Sequence, residues 1–164
     1  MRSVDENTSA DVENYIQKQI SNERFIDRKF ADSIGPFTQT FPDVDTSRPI
    51  HATRGRYWYN LHIVLVHAER FRFNRIEQFR RSFDGAREIT TKNGYSLSAI
   101  SVMPDHLHLS VVGLEQESPE TIVLEFQNSL STAHGQGAMW CANYFVGTMG
   151  EYNMNAIRAA VADR

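Results

Sequence analysis

Between residues 56 and 149 the hydrophobic period switches between two and roughly 3.6 in one fixed order, which narrows the possible folds sharply. Residues 56–68 (RYWYNLHIVLVHA) alternate and are rich in β-branched and aromatic side chains, so they read as a strand. Residues 75–92 carry Ile76, Phe79, Phe83, Ala86 and Ile89 at three- and four-residue steps, the stripe of an amphipathic helix, and Asn93-Gly94 ends it. YSLSAISVM is a second strand, Pro104-Asp105 interrupts, and HLHLSVVG is a third. Ser118-Pro119-Glu120 starts a helix that Ile122, Val123, Phe126 and Leu130 continue to about residue 134. Residues 144–149 form a fourth strand. The order β-α-β-β-α-β predicts an α+β, ferredoxin-like split βαβ fold, with a four-stranded antiparallel sheet and its helices on one face.

Outside this block the chain divides simply. Residues 1–9 read as a short lead. Thr8 or Ser9 caps a helix over about 9–31, with Val12, Tyr15, Ile16, Gln19 and Ile20 at helical spacing. Residues 35–53 hold three prolines and many turn-forming residues, and read as a linker. Residues 153–164 close the chain as a helix. The expected organisation is an N-terminal helical unit over 1–34, a linker over 35–53 and a core over 54–164.

The lone Cys141 excludes an intramolecular disulfide framework and a cysteine-built zinc site. No apolar run approaches the roughly 18 residues that span a bilayer. The start, MRSVDENTSADVEN, has no apolar secretory region, so a cytoplasmic location is expected. The net charge of −3 argues against a nucleic-acid partner, but its distribution argues otherwise. Residues 54–104 carry nine basic and four acidic side chains, and eight of the nine are arginine. Arg54, Arg56, Arg70, Arg72, Arg75, Arg80 and Arg81 lie among Tyr57, Trp58, Tyr59, Phe71 and Phe73. Arginine forks bind phosphate bidentately, and interleaved aromatics stack bases, so this stretch fits single-stranded nucleic acid. A solvated helix face over core aromatics fits it equally well.

The sharpest local feature is Pro104-Asp-His-Leu-His-Leu. On a strand, His106 and His108 share a face while Leu107 and Leu109 point into the core. The two imidazoles can share one divalent metal, or can be two exposed histidines. Asp105 is either an acceptor that orients an imidazole or a strand-end residue. The remaining histidines, His51, His62, His67 and His134, have no such neighbour at short range in the sequence.

This block resembles the single-tyrosine HUH transposases of insertion sequences and of REP elements. PDHLHL, the first-strand NLHIVLV followed by ERFR, and Trp140 ahead of YFVGTMG are similar to that family's motifs, in its order, over about 56–158. The family places a helix of the form hydrophobic-x-x-Tyr-Ile-x-x-Gln after the last strand. At that place this chain has Ala160 and Arg164. Yet Val12, Tyr15, Ile16 and Gln19, near the start, match the missing helix in spacing. The resemblance then implies a circular permutation, with Tyr15 as nucleophile, Gln19 joining His106 and His108 at Mg2+ or Mn2+, and the linker carrying the helix back to the sheet. The opposite reading makes Tyr15 an ordinary helix residue and the protein inactive. Tyr152 ranks behind Tyr15 because the residues after it do not match.

By that resemblance the function is metal-dependent cleavage and rejoining of single-stranded DNA through a 5′-phosphotyrosine. The implied partners are hairpin-bearing element ends and a second copy of the chain in a homodimer, with no membrane. The alternatives are a catalytically silent relative that binds structured single strands, and an RNA-recognition-like module whose aromatic signature this sheet lacks.

Overall fold

A computed structural model of the chain describes residues 8–22, 28–53 and 55–150, with the side chains of Ala52 and Arg70 outside that description. The expected helix over 153–164, together with Tyr152 and Arg54, lies outside the described residues. The core elements are β4 (Asn60–Val66), α4 (Ile76–Asn93), β5 (Ser96–Val102), β6 (His106–Val112), α5 (Pro119–His134) and β7 (Phe145–Met149). Their order is β-α-β-β-α-β, and neighbouring strands pair antiparallel in the spatial order β5-β6-β4-β7. That is the split βαβ arrangement.

Local chemistry explains the helix ends. The Gln78 side-chain oxygen accepts from the backbone N–H groups of Asn74 and Arg75 at the start of α4. Gly94 ends it at φ 77°, a conformation that favours glycine. Ser118 caps α5 with Pro119 in its first turn, and Gly135 closes it at φ 65°.

Four expectations are corrected. The sheet has five strands, because β1 (Thr38–Thr40), from the stretch read as a linker, pairs antiparallel with the β5 edge. That stretch also supplies β2 (Ile50–Ala52), which pairs with β3 (Gly55–Tyr57) in a separate two-stranded sheet. The apparent single strand over 56–68 is therefore split at Trp58 and Tyr59. The helix expected over 9–31 is broken: α1 (Ser9–Gln17), α2 (Gln19–Asn22) and α3 (Arg28–Ile34) replace it among the described residues.

The sheet separates two packing zones. Leu61, Ile63 and Leu65 of β4 and Leu107, Leu109 and Val111 of β6 bury against α4 and α5, around Phe79 and Phe126. The opposite face carries Asn60, His62 and Val64 of β4, and His106, His108 and Ser110 of β6. Helix α1 lies on this second face. Its Val12 and Ile16, one helical turn apart, pack with Ala99 of β5 and Met149 of β7. A bulge between Leu97 and Ala99 lets both Leu97 and Ile100 join the main core while the small Ala99 turns to the helix. Polar contacts fix the approach. Asn60 Nδ2 donates to Ser9 Oγ at 3.2 Å and to the Thr46 carbonyl at 2.8 Å. Thr8 and Asp11 cap α1 reciprocally.

His67 is buried beyond the end of β4, 4.3 Å from the Phe73 ring and 4.8 Å from Trp140. Neither of its ring nitrogens has a hydrogen-bond partner among the described residues. Burial pushes its pKa down to about 4, and backbone groups at Phe71 and Pro104 offset this only in part. No helix among the described residues is long and apolar enough to cross a membrane.

Ile16 is fully buried in the small cluster that holds α1 to the sheet. Ile16→Ala is expected to cost about 2–4 kcal/mol of stability and to raise amide hydrogen exchange selectively in α1. Exchange in α1 equal to that of the unaltered protein contradicts this docking.

Candidate functional site: a tyrosine and three histidines

A cavity of about 390 Å³ opens between α1 and the second face of the sheet. Asp11, Val12 and Tyr15 line it from the helix, and His62, Val64, His108 and Phe145 from the strands. The antiparallel register brings the strand residues together. Val64 pairs with His108 and His62 with Ser110, so His62 and His108 are diagonal neighbours. His62 Nε2 lies 3.1 Å from His108 Nδ1, with the two rings nearly parallel at 5.4 Å between centroids. Sequence distance concealed this partner of His62.

Tyr15 stands edge-on to both rings, 5.5 Å from His108 and 6.0 Å from His62 between centroids. It is about half exposed, so its ring is open to a ligand. Phe145, also half exposed, walls the opposite side, 5.5 Å from His62. Its ring folds across Gly147, where an added Cβ would meet Phe145 Cζ at 3.0 Å. Asp11, although at the cavity, spends one carboxylate oxygen on the Thr8 cap.

His106 sits next to His108, 4.8 Å between ring centroids. Its Nδ1 is 2.7 Å from Asp105 Oδ1, and Asp105 Oδ2 takes an ion pair from Arg72 at 3.0 Å. Burial alone would raise the Asp105 carboxyl, but the hydrogen bonds from His106 and Arg72 outweigh it and hold it below the usual carboxylate value. Each histidine of the pair thus has Nδ1 engaged, and neither Nε2 has a hydrogen-bond partner among the described residues. Two neighbouring imidazoles with second nitrogens so held fit a divalent cation. Among the described residues no group of three His, Cys, Asp or Glu side chains is placed to hold a metal ion.

The remaining sequence candidates are dispersed. Gln19 lies beyond the end of α1, buried, and its Nε2 donates to the Tyr15 carbonyl at 3.2 Å. It does not line the cavity. Arg72 reaches the site through Asp105. Arg56 and Arg75 are exposed. Arg80 and Arg81 are exposed on α4, the layer across the sheet from the histidines. Sequence reasoning missed His62 and Phe145. The available signal was strand alternation, which puts Asn60 and His62 on the less apolar side of β4.

Burial pushes His62 down to about 4. It pushes His108 to about 3, helped by the neighbouring His106 and His62. Both imidazoles are therefore neutral, as a metal ligand must be, throughout the neutral range. The unfolded chain takes up protons below about 6.5, whereas these folded side chains, and His67, do so only near 3–4. Their effect on stability is thus complete above about pH 6.5 and is lost as pH falls, by up to roughly 1.4 kcal/mol per unit for each histidine. Denaturant unfolding of the metal-free protein at pH 7 and pH 5 is expected to show a loss of at least about 2 kcal/mol. Equal stability at the two pH values contradicts the neutral, buried assignment.

The sequence profile of a family described as IS200-like transposases matches residues 56–163. A crystal structure from Deinococcus radiodurans R1, described as a candidate transposase, is 24% identical over 70% of this chain and 97% of its own, with a TM-score of 0.50. It shares the fold. The structure of a REP-associated tyrosine transposase bound to a REP hairpin is 15% identical over 67% of this chain and 68% of its own, with a TM-score of 0.48. No curated protein sequence matches.

Proposed function

Because this chain belongs to the IS200-like transposase family, we propose that it breaks and rejoins single-stranded DNA with Tyr15 as its nucleophile, in a circularly permuted arrangement. One observation carries this reading. The family match begins at residue 56, yet the tyrosine beside the histidine pair comes from α1, with its ring 5.5 Å from His108.

The Tyr15 oxygen attacks the scissile phosphorus, and the bond from phosphorus to the 3′ oxygen breaks. The phenolic proton is balanced by the proton the released 3′-hydroxyl gains. The product is a 5′-phosphotyrosine, which a second 3′-hydroxyl can attack to reseal a strand without ATP. His106 and His108 would hold Mg2+ or Mn2+, with the Gln19 amide oxygen as the third protein ligand. Such a cation neutralises charge on the phosphate oxygens. Asp105, tied to Arg72, holds the His106 ring. Phe145 offers a base-stacking surface at the cavity rim.

Arg54, Arg56, Arg70, Arg72, Arg75, Arg80 and Arg81 would meet the DNA backbone. Since Arg80 and Arg81 lie on the α4 layer, a substrate touching all of them must wrap the domain, as a hairpin-bearing end can. A homodimer, in which Tyr15 serves its own or the partner's histidines, belongs to the same reading. The position of Gln19 away from the cavity favours one other reading, a catalytically silent binder of structured single strands.

Labelled single-stranded DNA incubated with the protein and Mn2+ is expected to yield a denaturation-resistant adduct. Tyr15→Phe abolishes it and slows cleavage by more than about 1,000-fold, Tyr152→Phe keeps it, and a chelator prevents it. Binding without an adduct supports the silent reading, and an adduct lost only in Tyr152→Phe overturns the permutation. Replacing both Arg80 and Arg81 by Ala should lower the slope of log affinity against log salt by about 0.7 for each phosphate contact removed. An unchanged slope removes these two from the DNA surface.

A further inference from the structure

The pairing of His62 with His108 is unused by the mechanism above, and it has a chemical consequence. A histidine ring nitrogen can bind a cation only through a free lone pair, so the ring's single proton must then sit on the other nitrogen. In His106 that other nitrogen, Nδ1, faces a carboxylate acceptor, Asp105 Oδ1, at 2.7 Å. In His108 the same nitrogen faces His62 Nε2 at 3.1 Å. The two contacts are parallel in role, and each leaves Nε2 without a hydrogen-bond partner among the described residues.

We propose that His62 is a positioning residue: its Nε2 accepts the Nδ1 proton of His108, fixes that ring's tautomer and plane, and commits His108 Nε2 to the cation. The inference rests on the reading that His106 and His108 hold a metal. Three features restrict His62 to this task. It is held on β4, directly beside β6, so the separation follows from sheet register rather than from a mobile loop. The rings are close to parallel, at 17°, which keeps nitrogen facing nitrogen. Phe145 and Tyr15 pack against it edge-on and limit rotation of its ring. An acceptor amide could replace His62 in this role, whereas a phenyl ring of similar shape could not.

The metal-free protein provides the first test. Long-range nitrogen–proton NMR correlations are expected to show His108 protonated on Nδ1, and His62→Phe to move the proton towards Nε2. The second test is Mn2+ affinity by calorimetry or paramagnetic resonance. His62→Phe is expected to weaken binding by about 10–100-fold, and His62→Gln to restore it to within about threefold of the unaltered protein. Should His62→Phe not fold, the tautomer in the unaltered protein decides: a His108 proton on Nε2 overturns the proposal. Unchanged Mn2+ affinity in a folded His62→Phe overturns it too, while leaving the metal at His106 and His108 intact. If the unaltered protein binds no Mn2+ at all, the metal reading itself fails and the proposal with it.

Discussion

Two aliphatic side chains, Val12 and Ile16, pressed against Ala99 and Met149, hold α1 on the histidine face of the sheet. Everything proposed for the site depends on that contact. Tyr15 sits between these two residues in sequence, so docking Val12 and Ile16 downward leaves the Tyr15 ring at the flank of the helix, beside His62 and His108. The cluster is small. It is aided by the Asn60 contacts to Ser9 and Thr46 and by the small size of Ala99, which admits the helix closely.

The four-stranded core was legible because each element has a clear period and clear ends. The stripe of Phe79, Phe83, Ala86 and Ile89, stopped at Gly94, could only be a helix, and HLHLSVV could only be a strand. The short β1 was not legible. Three residues amid prolines and turn-formers carry no period, and Thr38–Thr40 is a strand only because the β5 edge offers it backbone partners. The break of the first helix near Lys18 was also hidden, since Gln19 and Ile20 keep the helical spacing. Hence Tyr15 and Gln19, expected on one helix face, belong to different segments.

The site followed the same division. His106 and His108 were visible as a local pair, because a strand's two-residue period is written in the sequence. His62 was not, because its partnership is a diagonal across β4 and β6, and register comes only from the assembled sheet. Asp105 proved to be a ring-orienting acceptor as well as a strand-end residue, through hydrogen bonds that sequence neighbourhood alone cannot establish. The arginine-rich stretch was legible as composition, but its division between the site, at Arg72, and the far layer, at Arg80 and Arg81, depends on which side of the sheet α4 covers.

The central claim is that a phenol from the first helix and a cation on the histidine strand occupy one place. Paramagnetic broadening of carbon-labelled tyrosine rings by substoichiometric Mn2+ tests it without any substrate. The account predicts early loss of the Tyr15 signal, assigned through Tyr15→Phe, while the Tyr95 signal in the opposite core persists. A sharp Tyr15 signal at Mn2+ levels that erase the His108 ring resonances would contradict it.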